Sequence, residues 1–306
     1  MSDTPSTLQR KPEWLKIRIG GGHTYAGVSR TLTERGLHTI CSSGRCPNQG
    51  ECWQAGTATF LLLGNICTRS CRFCATPTGQ PLAPDPNEPD KIAQSVRILS
   101  LKHVVLTSVD RDDLPDGGAN HWKHVVEAIR FVNPNTTIEV LIPDFMGKDG
   151  ALKCVIEAQP EIIAHNIETV ERITPNVRSR ARYRYSLEVL KQIAETGALA
   201  KSGIMLGLGE TYSEILTTMD DLRAVNCQVL TIGQYLQPRK TNAVVQRYVT
   251  PDEFDQLAEE ARDRGFRYVE AGPLVRSSFH AEKALAACGI LKTSETPTTA
   301  QSDSKQ

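Results

Sequence analysis

The sequence predicts an α/β fold: a partial, open parallel β/α barrel of about six strand–helix units, closed by extensions at both ends. Three observations carry this. Seven short runs, nearly continuous in apolar residues, recur at 57–64, 103–109, 136–143, 161–168, 203–209, 229–236 and 267–273. They are β-rich and too short for buried helices. Amphipathic helical stretches alternate with them, which implies a parallel sheet with right-handed crossovers. Six or seven such units fall short of the eight that close a full barrel.

Taken in order, residues 1–55 form an N-terminal extension, 56–273 the barrel, 274–292 a C-terminal segment and 293–306 a disordered tail. The first dozen and last dozen residues are polar and are expected to be mobile. The run TATFLLLG is the first strand and delivers the chain into a cysteine loop. The second run is followed by Asp110-Arg111-Asp112-Asp113 and a Leu-Pro-Asp-Gly-Gly turn. ALKCVIEA reads as helix, with Cys154 as a small core residue. The fourth run ends His165-Asn166-Ile167-Glu168, and the fifth carries Gly207 and Gly209, which permit close backbone approach. Thr211 with Glu214 makes a capping box ahead of Ile215, Leu216, Met219 and Leu222. Thr250 with Glu253 repeats it, with Pro251 at the first helical position and Phe254, Leu257, Ala258 and Ala261 facing inward. Ligands of such sheets sit at the carboxyl ends of the strands, so the polar residues that follow them converge on one mouth. Arg178, Arg180, Arg182 and Arg184 read as a solvated basic run, one or two of which can hold a carboxylate.

Composition excludes several roles. Lys plus Arg and Asp plus Glu number 35 each, so the chain has no basic footprint, and nucleic acid is excluded as the main partner. No apolar run approaches the ~20 residues of a membrane helix, and the N-terminus has no secretory or transit pattern. Nine cysteines, an odd number, fit metal-bound thiolates in a reducing cytoplasm.

Those cysteines carry the chemistry. Cys67, Cys71 and Cys74 (CTRSCRFC) have a spacing that wraps three corners of an iron–sulfur cube and leaves one iron open. Electron-transfer clusters usually close all four corners with cysteine. Cys41, Cys46 and Cys52 (CSSGRCPNQGEC) form a second triplet, with Gly44, Pro47 and Gly50 turning the backbone. The alternatives are a zinc site completed by a distant His, unrelated buried thiols, or one disulfide plus a spare thiol in each set. Ser277 and Ser278 read, on their own, as helix caps before HAEKALAAC.

Together these segments resemble the radical S-adenosylmethionine (SAM) superfamily and, within it, the lipoyl synthase family. The matching segments are RKPEWLK, CPNQGECW, GTATFLLLGNICTRSCRFC, TSVDRDDLPDGGA, HNIETV, GLGET and GPLVRSSFH, which span nearly the whole chain outside its tails. The resemblance implies that Cys67, Cys71 and Cys74 hold a [4Fe-4S] cluster that binds SAM. It implies that Cys41, Cys46 and Cys52 hold an auxiliary [4Fe-4S] cluster, completed by a serine of an Arg-Ser-Ser-Tyr motif. Here that motif is Arg276-Ser277-Ser278-Phe279, with Ser278 the expected ligand. Phe279 in place of Tyr is a departure, as are Ser42, Ser43 and Gly44 after Cys41.

The activity implied is insertion of two sulfur atoms at carbons 6 and 8 of a protein-bound octanoyl-lysine. Two SAM molecules are consumed, and the auxiliary cluster supplies the sulfur. Such carbons have no acidic proton, so a cofactor-derived radical is required, which fits the lack of a catalytic dyad. The implied partners are octanoylated carrier domains (the 2-oxoacid dehydrogenase acyltransferase subunit and the glycine cleavage H protein), a ferredoxin- or flavodoxin-type reductant, and iron–sulfur assembly proteins. Ser108, Asn166 and Glu168 are candidate SAM contacts, while Asp110, Arg111 and Asp112 are candidates to meet the carrier or its arm. The alternatives are another radical SAM sulfur-inserting enzyme or a non-catalytic iron–sulfur carrier.

Overall fold

The computed structural model describes residues 10–16, 30–43 and 46–290. Seven strands form one sheet in chain order: β1 (Thr57–Leu62), β2 (His103–Ser108), β3 (Thr137–Leu141), β4 (Ile162–Ala164), β5 (Leu199–Leu206), β6 (Val229–Gln234) and β7 (Tyr268–Gly272). Every neighbouring pair is parallel. Ahead of β1 lie α1 (Ile40–Ser43) and α2 (Gln49–Gln54). Six crossovers then follow: α3 (Glu88–Ile98), α4 (Ala119–Val132), α5 (Ala151–Glu157), the pair α6 (Thr174–Val177) and α7 (Tyr183–Glu195), α8 (Tyr212–Ala224) and α9 (Pro251–Asp263). The last helix is α10 (Ala281–Ala287). The sheet is therefore an open barrel whose free edges are β1 and β7, as the sequence predicts.

Both predicted capping boxes are present, at Thr211 with Glu214 and at Thr250 with Glu253. Behind them α8 buries Ile215, Met219 and Leu222, and α9 buries Phe254, Leu257, Ala258 and Ala261. Two strands differ from expectation. β4 stops at Ala164 because Ser202 Oγ takes the Ile167 N–H (3.1 Å), which interrupts the ladder, and Glu168 follows at φ +70°. β5 begins at Leu199 rather than Gly203, since Lys201 is buried and neutralised by Glu139 of β3 at 2.8 and 2.9 Å. Cys154 is only half-buried, its thiol 3.5 Å from Asn120 Oδ1 rather than in the core.

The two extensions meet on the open side. Along the β1 edge, Leu61 N donates to His38 O (2.9 Å) and Thr39 Oγ1 donates to Thr59 O (2.6 Å). From β7 the C-terminal segment rests on β6 at Gly233, where an added Cβ would lie 2.2 Å from Val275 O. It then passes Glu270 of β7 at His280 (3.1 Å). It ends in α10, whose Ala284 and Leu285 pack with Cys288 against Ile162, Leu199 and Val229 at the amino ends of the strands. Asn48 Nδ2 donates to Leu274 O at 2.7 Å, and Glu51 approaches His280 Nε2 at 3.1 Å. These contacts tie the two ends of the chain together. The tails expected to be mobile lie, apart from Arg10–Pro12, outside the described residues.

Candidate metal centres and the barrel mouth

Beyond β1 the chain turns at Leu63 (φ +66°) and Gly64 (φ +95°) into the Cys67 loop. Cys67 N donates to Pro77 O and Gly79 N to Cys67 O, each at 2.9 Å, which closes the loop on itself. The thiols face backbone donors. Cys67 Sγ lies 3.4 Å from Arg69 N and 3.3 Å from Asp110 N, and Cys74 Sγ lies 3.4 Å from Thr76 N. Cys71 Sγ sits 3.9 Å from Ser179 Oγ. N–H groups aimed at sulfur stabilise metal-bound thiolate and tune the metal it holds.

Arg69, between Cys67 and Cys71, fixes this loop to the sheet. Its side chain is 3 % exposed and meets three carboxylates at 2.5–3.5 Å: Asp110 (3.3 Å), Asp112 (2.8 Å) and Asp144 after β3 (2.6 Å). Nε also donates to Asp112 at 2.9 Å, so that contact is a two-bond fork. Arg111, likewise buried, pairs with Asp113 at 2.8 Å and donates to Leu63 O. Asp110, Arg111 and Asp112 are therefore engaged inside the fold rather than offered to a carrier. Asn242 clamps the loop from the other side, with Nδ2 donating to Arg72 O (3.0 Å) and Cys74 O (2.9 Å).

Ser108 lies at the carboxyl end of β2, and Asn166 and Glu168, which hydrogen-bond each other, follow the carboxyl end of β4. Ser108 Oγ and Asn166 Oδ1 are buried and have no hydrogen-bond partner among the described residues. A Cβ at Gly203 would come within 2.9 Å of Asn166 Oδ1 and 2.6 Å of Thr231 Oγ1, so only glycine leaves that space. Burial pushes the Glu168 carboxyl above its ordinary range, against Arg178 and the Asn166 amide, which hold it down. Glu210 is buried in the same rim and accepts from Gly207 N (2.6 Å) and Leu208 N (2.9 Å). The basic run divides. Arg184 pairs with Glu171 and Asp221, Arg178 turns in to Ser186 Oγ (3.0 Å), and Arg180 and Arg182 stay exposed.

The Cys41 triplet lies on α1, on α2 and between them. Cys46 N donates to Cys41 O (2.9 Å) and Cys52 N to Asn48 O (3.0 Å). Burial and then the neighbouring thiols Cys46 and Cys41 push Cys52 up to about 12. Burial and Cys41 raise Cys46, on which Arg276 acts in the opposite direction. The Arg276 segment thus lies against this triplet. The helix-cap reading of Ser277 and Ser278 fails, because α10 starts at Ala281 with His280 as its cap residue.

All nine cysteines are free thiols, which removes the disulfide alternative. In the Cys67 triplet, burial and Asp110 push Cys67 up to about 12, and burial raises Cys71. Thiols that resist ionisation because they are buried and crowd one another ionise when a cation binds them. Among the described residues no three His, Cys, Asp or Glu side chains gather closely enough to hold a single ion. The fit to clusters rests on donor chemistry, since each triplet offers three free thiols and those of the Cys67 loop face backbone N–H groups. Arg69, Asp144, Glu210 and Asn242 escape sequence reading, since a charged or amide side chain in a loop defaults to solvent.

The Radical SAM superfamily profile matches residues 61–222, more than half of the chain. The lipoyl synthase of Treponema denticola is 60% identical over 275 residues, covering 90% of this chain and 95% of that protein. That of Parabacteroides distasonis is 57% identical over 274 residues, covering 90% and 98%. Among solved structures, Streptococcus suis SuiB bound to precursor peptide SuiA has a TM-score of 0.57 at 10% identity, over 87% of this chain and 54% of SuiB. The [FeFe]-hydrogenase maturase HydG of Carboxydothermus hydrogenoformans gives 0.52 at 14%, over 87% and 78%. These structural likenesses show the fold alone. Open barrel, cysteine loop and profile together define a radical SAM enzyme, a class that uses SAM and a [4Fe-4S] cluster. Within that superfamily, the chain belongs to the lipoyl synthase family.

Proposed function

We propose that the protein inserts two sulfur atoms, at carbons 6 and 8, into an octanoyl chain carried on a lysine of a partner domain. One observation carries this reading. Two triplets of free thiols serve one barrel, the Cys67 set at the strands' carboxyl ends and the Cys41 set beside the Arg276 segment. When bound, the Cys67 cluster with SAM supplies a carbon-centred radical, and the auxiliary cluster supplies sulfur.

The chain's own groups hold and shape this chemistry. Cys67, Cys71 and Cys74 ligate the first cluster while Arg69 fixes their loop to Asp110, Asp112 and Asp144. Ser108 Oγ and Asn166 Oδ1, unpartnered among the described residues, bind polar groups of SAM with Glu168 beside them. Cys41, Cys46 and Cys52 ligate the auxiliary cluster with Ser278. Serine oxygen is a poorer match to this iron than thiolate is, which eases iron loss as sulfide is taken. Phe279 stacks on His280 (3.8 Å between ring centres) and brings no hydroxyl to this site. The segment from Leu274 to α10 closes the open side and keeps water from the radical.

The domain limits of the sequence analysis follow this division of labour. The carrier is an octanoylated lipoyl-type domain, the reductant is of ferredoxin or flavodoxin type, and assembly proteins rebuild the auxiliary cluster. A reducing cytoplasm suits nine free thiols. No helix among the described residues is long and apolar enough to cross a membrane. The test is anoxic incubation of reconstituted protein with SAM, a reductant and an octanoyl-lysine peptide, followed by mass spectrometry. The expected product gains two sulfurs; an unmodified peptide alongside normal SAM cleavage overturns the proposal.

A further inference from the structure

Net charge is zero over the whole chain, yet the rim around the Cys67–Cys74 loop carries five cations that, among the described residues, have no carboxylate partner. Arg72, Arg180, Arg182, Arg239 and Lys240 are all exposed. Among the described residues, no carboxylate lies within 4 Å of any of their charged nitrogens, whereas Arg172 and Arg184 close by are paired at 2.6 Å. The nearest acids are consumed, Asp110, Asp112 and Asp144 by Arg69, and Glu171 and Glu214 by those two arginines.

Local contacts place these cations around the loop. On one side Ser70 N donates to Ser179 Oγ (3.2 Å), which sets Arg180 next to the Cys71 turn with Arg182 two residues further on. On the other, Arg239 donates to Ala75 O (3.0 Å), which sets Arg239 and Lys240 beside Cys74. Met146, 47 % exposed, lies 3.9 Å from Arg180 Nη1, and Val244, 45 % exposed, continues the patch near Asn242. Apolar side chains framed by unpaired arginines are the make-up of a protein–protein contact surface.

We propose that this rim docks the acidic face of a protein that donates electrons to the Cys67 cluster. The inference rests on the radical SAM reading above and gives its reductant a place. The donor, a reduced flavodoxin or iron–sulfur ferredoxin with an acidic surface, loses one electron per event. Held by Cys67, Cys71 and Cys74, the cluster would use that electron for reductive cleavage of the sulfonium–C5′ bond of SAM, with methionine as the leaving product. A carrier must thread its arm into the barrel, whereas an electron donor need only approach the partly exposed Cys71 and Cys74 from outside. Unpaired cations around an exposed loop serve the second task, steering an acidic partner over a distance set by ionic strength.

The test compares the reconstituted wild type with the triple variant Arg180→Glu, Arg182→Glu, Lys240→Glu and with its Gln counterpart. None of these residues touches a cysteine, so fold and iron content serve as controls. Binding of a flavodoxin of known acidic surface is measured directly from about 0.05 to 0.5 M salt, alongside SAM cleavage driven by that donor and by reduced methyl viologen. The expected result has three parts. Donor affinity is roughly tenfold or more weaker in the Glu variant and intermediate in the Gln variant. The wild type converges on the variants at high salt. Viologen-driven cleavage is equal in all three. Unchanged donor affinity overturns the proposal, and so does a raised KM for octanoylated carrier with donor binding intact, which would assign the rim to the carrier. If the wild type cleaves no SAM even with viologen, it is the radical SAM reading that fails, while the binding measurement still decides the surface.

Discussion

Arg69→Met keeps most of the apolar length of the side chain and removes the guanidinium that three carboxylates share. The loss can be worked from the structure. Asp112 gives up two hydrogen bonds, of 2.8 and 2.9 Å, and Asp144 gives up one of 2.6 Å. These carboxylates are 12 % and 4 % exposed, so neither can turn to water, and both keep charge with no counterion. Asp110, at 21 % and 3.3 Å, is better solvated and adds less. Deleting one partner of a buried ion pair costs ~3–5 kcal/mol. Part of that is relieved here by protonating Asp110, whose carboxyl burial already pushes above its ordinary range. A net penalty of about 3 kcal/mol lowers occupancy of the closed loop by roughly two orders of magnitude. The strain falls on Cys67, because Asp110 contacts its sulfur through both N–H and carboxylate. The expected outcome after anoxic assembly is about four irons per chain instead of about eight, with the Cys41 cluster retained. SAM cleavage should be lost. Arg69→Lys, with charge but no planar fork, should fall between. An Arg69→Met protein with about eight irons and wild-type SAM cleavage would refute the assignment of the loop's anchor.

Two further outcomes follow from particular contacts. Gly233→Ala sets a methyl group 2.2 Å from Val275 O, a backbone atom that must move. It should displace the Arg276 segment and remove the auxiliary cluster while sparing the Cys67 cluster, and metal analysis showing both clusters intact would contradict the path given to that segment. His165 is buried with Nδ1 donating to Ile142 O (2.9 Å), and burial lowers it from 6.5 to about 4. The unfolded chain therefore binds the extra proton. The stability this His contributes is full above pH 6.5 and drains away as pH falls toward 4, with about 2 kcal/mol gone by pH 5. Urea midpoints from pH 7.5 to about 5 should drop less for His165→Gln than for the wild type; parallel slopes would exclude this histidine as the cause.

Much of the fold was legible because its signals are local. Seven apolar runs became seven strands, and both Thr–Glu pairs became capping boxes, since each depends on neighbours a few residues away. The misreadings share one physical origin. Lys201 fell just outside the run expected at 203–209, yet it lies inside the barrel because Glu139, two strands away in the sheet, neutralises it. Arg69 drew no reading of its own within CTRSCRFC, yet three carboxylates from two other connections bury it. A charge enters the core when distant chain supplies its opposite, and no local pattern records that. The cysteines were legible for the converse reason, since three ligands of a cube must come from one short loop, and spacing preserves that requirement.

Ser278 marks the boundary between these cases. Its sequence neighbourhood argued for a helix cap, and the resemblance to the lipoyl synthase family, with a Cys41 triplet short of a fourth ligand, implied a cluster ligand instead. The structure joins the Ser278 segment to the chain around that triplet through residues that bear no chemistry themselves. Asn48, between Cys46 and Cys52, holds Leu274 O across 226 positions of chain. Glu51 holds His280 across 229. Both bonds bracket Arg276 to Phe279 and fasten that segment to the helix and turn that carry Cys46 and Cys52. Gly233 lets the same segment sink onto β6, which no residue with a side chain would allow. The open edge of the barrel is thus where two chain ends far apart in sequence come together, and a site that needs ligands from both can be built there. A closed eight-stranded barrel would have no such gap between its first and last strands.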